Sequence, residues 1–339
     1  MEKKTKIILI LLFIVGGVAL YINKEDVPNS PSVSEQDKEP ITLLFVGDIM
    51  LDRGVRNALN REGVNYAFEG VRDLLTSADL TVGNLEGTFT DKPSVSVVDN
   101  KILRFTFDLS LATMLEDFGF DGFSLANNHA LDFGEFGFEE TQATLSQHGL
   151  FYFGSANNDK SNISKRVTVK ESEFCFVGYH QLFTASTLSV VTEITNLDAT
   201  CDYTVVFAHW GEEYKDIEND AQRNIGRVFI DAGADLVIGA HPHVVQPVEI
   251  YKDKAIFYSL GNFLFDQDFS LATRQSLAVR LTLSEDEQQF HLIPIEMSRA
   301  RLYYPEKESF QSRMNILISE LPESHRTEAD IDSTFSLPR

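Results

Sequence analysis

Short apolar segments that end in side chains able to bind a metal ion are the feature that most constrains this chain. The clearest example is the apolar run Asp235-Leu236-Val237-Ile238, typical of a buried strand, which leads into Gly239-Ala240-His241-Pro242-His243. Neutral imidazole is a common metal ligand, and a rigid strand end holds it well. A lone His-x-His pair is weak evidence for a metal site. Four other strand ends carry side chains of the same kind, so the sequence indicates a shared metal site.

The other four clusters also follow apolar segments. They contain Asp48; Asn84 and Glu86; Asn127, Asn128, His129 and Asp132; and His209. In the third cluster, Asn128 offers a carbonyl oxygen to a metal, and Asp132 is expected to orient the imidazole of His129, a candidate acid or base. Asn262, in a later strand-to-loop segment, is expected to border the same cleft. Because Asp, Glu, Asn and His occur without Cys, the set suits a divalent Mn, Mg, Fe or Zn ion.

Each cluster has a simpler interpretation when it is taken alone. An Asp at a strand end, such as Asp48, often caps the next helix. The Asn84 cluster fits a turn with a solvated Glu, the Asn127 cluster fits a helix cap, and a single His such as His209 is usually structural. The metal-site interpretation therefore rests on the five clusters together. His148, His180 and His291 lack such neighbours in the sequence and are expected to be structural.

The N-terminus has the composition of a membrane-targeting segment. Lysines precede an apolar run from Ile7 to Ile22, slightly shorter than the roughly 20 residues that an untilted membrane span prefers. The run fits either a cleaved signal peptide or a retained anchor. Because no clear cleavage site follows it, a single-pass anchor over residues 1–23 is favoured, with a polar tether over residues 24–40. The lysines then place the remaining chain on the extracytoplasmic side of the cell membrane.

The net charge and the cysteines set further limits. With a formal charge of −22 and no basic patch, the chain is not expected to bind nucleic acid. An anionic ligand would need a local attractor other than the general surface, such as a bound divalent metal. Cys175 and Cys201 fit either one disulfide outside the cytoplasm or two free thiols, and the sequence does not decide between them.

From Ile41 onward the apolar pattern predicts an α/β fold. Strands alternate with helices in the first half and follow one another in the second, which indicates two packed sheets with helices outside. Strands are predicted over 41–47, 79–83, 104–107, 122–126, 151–153, 166–170, 174–179, 203–208, 235–238, 244–251, 254–259, 275–283 and 289–297, and helices over 53–60, 68–77, 109–118, 135–148, 217–232 and 314–321. The main domain is expected over 41–300, and residues 301–339 are expected to hold a short helix and, from Pro322, a mobile tail.

The motifs as a set resemble the CapA/PgsA family of poly-γ-glutamate capsule proteins. The motifs that carry the resemblance are Gly47-Asp48-Ile49-Met50, Asn84-Leu85-Glu86, Ala126-Asn127-Asn128-His129, His209-Trp210-Gly211-Glu212, Gly239-Ala240-His241-Pro242-His243 and Gly261-Asn262-Phe263. They occur in the expected order over residues 42–294. The resemblance implies a role in poly-γ-glutamate synthesis or export. It also implies two kinds of partner, the anionic polymer or its precursor and membrane-bound synthase components.

That family resembles, more remotely, the calcineurin-like metallophosphoesterases. This second resemblance implies a four-layer α/β/β/α double-sheet sandwich with one or two divalent metal ions at the strand ends. The metal ligands that it implies are Asp48, Glu86, Asn128, His209, His241 and His243, with His129 as the acid near the leaving group. Met50 stands where the phosphoesterase pattern has a His ligand, and a thioether is a poor ligand for hard cations. Glu86 stands in place of a shorter Asp.

The sequence leaves two main functions open. Met50 favours an accessory protein that uses a metal cleft to hold the anionic polymer during synthesis or export. The retained His129, His241 and His243 favour a metal-dependent phosphoesterase or other hydrolase acting on a cell-surface polymer or its precursor. A purely structural, membrane-tethered domain with a vestigial site is a third, less favoured function.

Overall fold

Strands and helices alternate through much of the chain, as the apolar pattern predicts. The computed structural model describes residues 39–97, 99, 101–158, 162–183 and 186–339, so the expected anchor and almost all of the expected tether lie outside the described residues. The strands are β1 (Ile41–Ile49), β2 (Leu80–Leu85), β3 (Thr88–Phe89), β4 (Thr106–Phe107), β5 (Gly122–Ser124), β6 (Phe151–Phe153), β7 (Ser164–Val169), β8 (Ser172–His180), β9 (Tyr203–His209), β10 (Leu236–Ala240), β11 (Val248–Tyr251), β12 (Lys254–Phe257), β13 (Asn262–Leu264), β14 (Gln275–Leu283), β15 (Glu287–Ser298), β16 (Arg301–Tyr303) and β17 (Thr334–Pro338). The helices are α1 (Arg53–Glu62), α2 (Arg72–Leu75), α3 (Leu111–Asp117), α4 (Gly134–Gln147), α5 (Leu188–Asp198), α6 (Asp220–Asp231), α7 (Leu271–Arg274), α8 (Lys307–Leu317) and α9 (Glu323–Asp332), with a 3-10 turn at Glu69–Val71.

Two large mixed sheets carry the fold. The first has the order β16-β15-β14-β1-β2-β5-β6, with β13 pairing with β1 and β17 pairing with β15. The second has the order β11-β12-β10-β9-β8-β7. Strands β1, β2, β5 and β6 are parallel in the first sheet, and β8, β9, β10 and β12 are parallel in the second. The carboxyl ends of the parallel strands in each sheet therefore meet at one edge.

Apolar side chains on both faces of the central strands explain the layered packing. Successive residues of a strand point to opposite faces, so a strand covered on both sides reads as a continuous apolar run. In β1, Leu43 and Phe45 pack against the second sheet, while Leu44 and Val46 pack against α1 to α4. In β9, every second residue packs against the first sheet, and the residues between them pack against α5 and α6. The result is four layers, helices–sheet–sheet–helices, which agrees with the two packed sheets that the sequence predicts.

Three predicted elements differ from the observed ones at a Gly, at a Pro and at a helix cap. The predicted helix over 68–77 is only a 3-10 turn followed by the four-residue α2. Gly70 lies in that turn, where a Cβ would overlap the carbonyl oxygen of Leu302, so Gly permits close packing but weakens the helix. The predicted strand over 244–251 begins only at Val248, because Pro247 has no N–H to donate. The predicted helix over 217–232 begins at Asp220, since Asn219 forms a capping box with Gln222.

The prediction of a mobile tail from Pro322 is wrong. This segment forms α9 and then β17, which pairs antiparallel with β15 over residues 334–338. The alternating Phe335 and Leu337 are buried in the inter-sheet core, so the tail supplies part of the apolar cover of β15. The helix before this segment, α8, is longer than the helix predicted over 314–321, and it begins and ends earlier in the chain. Its buried side chains, Phe310, Met314 and Leu317, recur at helical spacing.

Cys175 in β8 and Cys201 after α5 form a disulfide, with their Cα atoms 6.0 Å apart. This settles the choice that the sequence left open. The bond joins the second sheet to the segment that enters β9.

Replacing both cysteines with Ala is expected to lower the free energy of unfolding by about 3 kcal/mol, because the bond restricts a loop of 26 residues in the unfolded chain. Urea unfolding of the double variant beside the oxidised parent measures this difference. Reduced parent protein is the control and should resemble the variant. Equal stability of the oxidised parent and the variant would contradict the assignment.

Among the described residues, no helix is both long enough and apolar enough to cross a membrane.

Candidate metal centre

The strand ends of both sheets meet and bring the polar clusters together, at the place where the sequence predicts a cleft. Asp48, in β1, is paired in register with Asn84 of β2 and with Asn262 of β13. From the second sheet, the backbone N–H of His241 donates to Asp48 Oδ2 at 3.1 Å. His209, at the end of β9, lies 3.4 Å through Nδ1 from Nδ2 of Asn84. Residues as far apart in the sequence as Asp48 and Asn262 thus share one site.

Asp48, Glu86 and His243 form the most buried part of the cleft. Each offers one ligand atom, and these atoms all lie within 4.8 Å of one another. His243 Nδ1 is 3.5 Å from Asp48 Oδ2, and His243 Nε2 is 3.9 Å from Glu86 Oε1. Glu86 Oε2 is buried and has no hydrogen-bond partner among the described residues. Because an unpartnered buried carboxylate oxygen is costly, this donor set fits a divalent cation.

The imidazoles of the second sheet lie beside this group. The ring centroid of His241 is 4.7 Å from that of His209 and 5.8 Å from that of His243. Nδ1 of His241 is buried and has no partner among the described residues. His209 Nε2 is 2.8 Å from Asn128 Oδ1, so these two expected ligands contact each other. Asn127 supports the cleft by donating from Nδ2 to Asn84 Oδ1 at 3.2 Å.

The backbone that carries His241 and His243 is in an unusual conformation. Their φ angles are 94° and 60°, in the left-handed region that non-glycine residues rarely adopt. Such strain persists where the surroundings determine the conformation, and it is common at ligand sites. Backbone segments also pack closely beside Asp48, because a Cβ on Gly47 would overlap the carbonyl oxygen of Gly261.

Burial and neighbouring charges set the protonation of these groups. Burial raises the pKa of Glu86 to about 7. Burial, followed by repulsion from His243, lowers the pKa of His241 to about 3, and burial also lowers the pKa of His209. Burial opposes the charging of His243 as well, but Glu86 and Asp48 outweigh it and raise its pKa to about 9. In the metal-free protein, a proton on His243 therefore partly compensates the two carboxylates.

The metal-free protein is expected to lose stability as the pH rises from about 6.5 through about 9. Folded His243 keeps its proton in this range, whereas the unfolded chain has already released it, so each rise in pH favours unfolding. Thermal unfolding in EDTA across this range measures the slope. His243→Gln should reduce the slope, and an identical slope in both proteins would contradict the assignment.

His129 lies at the side of the cleft with the partners expected of an acid or base. Its Nδ1 is 2.9 Å from Asp132 Oδ2, as the sequence predicts, and its Nε2 is 3.9 Å from Glu86 Oε1. Phe105 stacks on the imidazole with ring centroids 4.1 Å apart. Asp132 Oδ2 also accepts the backbone N–H of Phe105 at 2.6 Å, so one carboxylate fixes both rings.

Asn262, which the sequence places at the border of the cleft, contacts His243 directly. Its Oδ1 is 2.8 Å from His243 Nδ1, and its Nδ2 donates to Gln267 Oε1 at 3.0 Å. Gln267 Nε2 in turn donates to the hydroxyl of Tyr214 at 3.1 Å. Gln267 and Tyr214 were missed in the sequence because each lies in a loop whose path the apolar pattern does not predict.

The structure adds information on two residues near the site, Glu213 and Met50. Glu213 offers a ligand atom within 4.8 Å of those of His241 and His243. The only sequence signal for it was its place just after the His209 motif. Met50 is fully buried and its sulfur accepts the backbone N–H of Asp52 at 3.0 Å, so this side chain is engaged in the core.

Comparison with known proteins gives the family. A family model described as "Bacterial capsule synthesis protein PGA_cap" matches residues 42–267. The PGA biosynthesis protein CapA of Bacillus subtilis (strain 168) is 30% identical over 320 residues, covering 89% of this chain and 83% of its own length. The capsule biosynthesis protein CapA of Bacillus anthracis is 30% identical over 314 residues, covering 84% of this chain and 75% of its own.

Among solved structures, a putative 5'-nucleotidase from Staphylococcus aureus in complex with alpha-ketoglutarate matches with a TM-score of 0.46 and 14% identity, over 82% of this chain and 58% of that one. The family model and the two Bacillus relatives agree with the resemblance carried by the strand-end motifs. This chain belongs to the family of bacterial capsule synthesis proteins described as PGA_cap.

Proposed function

We propose that this protein acts in poly-γ-glutamate capsule synthesis or export, and that it holds a divalent metal in the cleft to bind the anionic polymer or its precursor. Membership of the capsule family supports the biological role. The observation that carries the metal site is the buried group of Asp48, Glu86 and His243, in which Glu86 Oε2 has no partner among the described residues.

Charge explains why the cleft needs a metal for this role. The chain has a formal charge of −22, so its general surface repels a polyanion. Asp48 and Glu86 place two of these carboxyl groups at the bottom of the cleft, where they would repel a γ-glutamyl carboxylate. A bound divalent ion reverses the local potential and gives an anionic oxygen a partner. Mn, Fe, Zn and Mg all suit a set of carboxylate, imidazole and amide donors.

The proposed location is the extracytoplasmic side of the cell membrane, with the N-terminal segment as a single-pass anchor and membrane-bound synthase components as partners. The Cys175–Cys201 disulfide supports an oxidising compartment, because disulfides persist outside the reducing cytosol. The lysines and apolar run at the N-terminus support the anchor.

The experiment for the biological role is complementation of a capsule-forming strain that lacks this gene. His243→Gln is expected to lower poly-γ-glutamate at the cell surface by at least about 10-fold at equal protein level, since it removes an expected metal ligand. His148→Gln is the matched control, because His148 pairs with Glu116 outside the cleft. Normal capsule with the His243 variant would overturn the proposed role of the site.

One observation favours hydrolysis as a second candidate function. The His129–Asp132 pair holds an imidazole on the cleft wall with Nε2 towards Glu86, a position suited to donating a proton to a leaving group. The two-sheet fold with its site at the strand ends supports the calcineurin-like phosphoesterase type that the motifs imply. The metal, when bound, would supply Lewis-acid stabilisation of the reacting oxygens.

Assays with a phosphodiester and a γ-glutamyl amide test the hydrolase function. Turnover that requires added metal and is lost in His129→Gln, with metal binding retained, would support it. No turnover of either substrate by metal-loaded protein would favour the non-catalytic function.

A further inference from the structure

We propose that Glu213 is a metal ligand, which together with His241 and His243 holds a divalent ion at the outer side of the cleft. The inference rests on the metal centre proposed above and adds a ligand that the motif resemblance does not assign. Ligand atoms of the three residues all lie within 4.8 Å of one another, so one ion can contact a carboxylate oxygen and two imidazole nitrogens.

The histidine of this group that has a free buried nitrogen is His241. Its side chain is almost fully buried, at 5% exposure, and Nδ1 has no hydrogen-bond partner among the described residues. A buried polar atom without a partner costs free energy, and most such atoms in proteins are paired. His241 thus has a buried nitrogen that a bound ion could satisfy, and one of its ring nitrogens lies within 4.8 Å of a Glu213 carboxylate oxygen.

Hydrogen bonds determine which nitrogen of His243 is available. Asn262 donates through Nδ2 to Gln267 Oε1 at 3.0 Å and to the carbonyl oxygen of Thr273 at 3.1 Å. Its Oδ1 therefore faces His243 Nδ1, at 2.8 Å, and must accept a hydrogen bond from it. With a proton on Nδ1, neutral His243 has its lone pair on Nε2. This is the arrangement in which an outer hydrogen bond orients a ligating imidazole.

The backbone around Glu213 is fixed to the histidine segment. The N–H of Tyr214 donates to the carbonyl oxygen of Pro242 at 2.8 Å, and the N–H of Trp210 donates to that of Ala240 at 3.1 Å. The Tyr214 hydroxyl is further tied to Gln267 at 3.1 Å. The loop that carries Glu213 is thus held beside His241 and His243 from both ends, although Glu213 itself is exposed.

Glu213 supplies a candidate ligand of a kind that the side chain of Met50 does not offer. The phosphoesterase pattern places a His ligand at that position, but the sulfur of Met50 is buried in a hydrogen bond with Asp52. Glu213 adds an anionic oxygen to the same cleft from another loop. Because its side chain is exposed, the ion that it contacts would lie on the side open to solvent and to an incoming polymer.

The test is metal binding by the full-length protein, with Glu212→Gln as the matched control for Glu213→Gln. Glu212 is the neighbouring exposed carboxylate and belongs to neither close group. Calorimetric titration with Mn²⁺ and with Zn²⁺, together with the electron paramagnetic resonance spectrum of bound Mn²⁺, reports affinity and coordination without any activity. Glu213→Gln is expected to weaken binding by about 10- to 100-fold and to change the spectrum. Glu212→Gln should match the parent.

The outcomes separate this inference from the proposed function. If Glu213→Gln binds metal like the parent while His243→Ala does not, Glu213 is not a ligand and the proposed metal centre stands. If the parent binds neither ion, both proposals fail. Thermal unfolding of Glu213→Gln in EDTA should match the parent, which shows that a loss of binding is not a loss of folding.

Discussion

Replacing His243 with Ala is expected to lower the affinity of the protein for Mn²⁺ and Zn²⁺ by about 100-fold or more. His243 belongs to both groups of closely spaced ligand atoms, one with Asp48 and Glu86 and the other with Glu213 and His241. Its removal also leaves Asp48 and Glu86 close together without the imidazole that lies between them. Equilibrium dialysis with each ion measures the change in the dissociation constant.

His148→Ala is the control for this experiment. That histidine pairs with Glu116 at 3.1 Å, and among the described residues it belongs to neither group of closely spaced ligand atoms. Its variant should keep the parent's affinity. Equal affinity for the parent and His243→Ala would show that the ion, if bound, is held elsewhere.

Replacing Phe45 with Ala is expected to lower the free energy of unfolding by about 3 to 5 kcal/mol, the range for a large aromatic side chain removed from a packed core. Phe45 is fully buried between the two sheets, with its ring centroid 6.0 Å from that of Phe207 in an edge arrangement. The substitution removes contacts between β1 and β9, whose ends carry Asp48 and His209. Urea unfolding followed by circular dichroism measures the loss.

Phe136→Ala is the matched control, because that phenylalanine is 59% exposed on α4. Its effect should stay within about 0.5 kcal/mol. A loss below about 1 kcal/mol for Phe45→Ala would contradict the central place given to the inter-sheet core.

The sheets were predictable because their central strands are apolar on both faces. Leu43 to Val46 and Val205 to Ala208 read as continuous apolar runs, and the structure buries alternate residues of each against different layers. The tail was not predictable in the same way. Phe335 and Leu337 form too short an alternation to stand out, and β17 exists only because β15 is there to pair with it.

The site was predictable where candidate ligands lie at or just after the end of a strand. Asp48, Glu86, His241 and His243 each lie within three residues of a strand end, so the apolar pattern located them and the fold brings them together. Glu213 lies four residues beyond the end of β9, and its position depends on the hydrogen bond from the N–H of Tyr214 in that loop to the carbonyl oxygen of Pro242. Neither periodicity nor spacing reports such contacts between loops.

The central claim is that this cleft binds metal, and the most direct test is the metal content of the purified protein by plasma mass spectrometry. The double variant His241→Ala/His243→Ala is measured beside it, since both residues contribute to the close ligand groups. The account predicts near-stoichiometric Mn, Fe or Zn in the parent and its loss in the variant. Absence of metal from both proteins, even after incubation with excess ions, would contradict it.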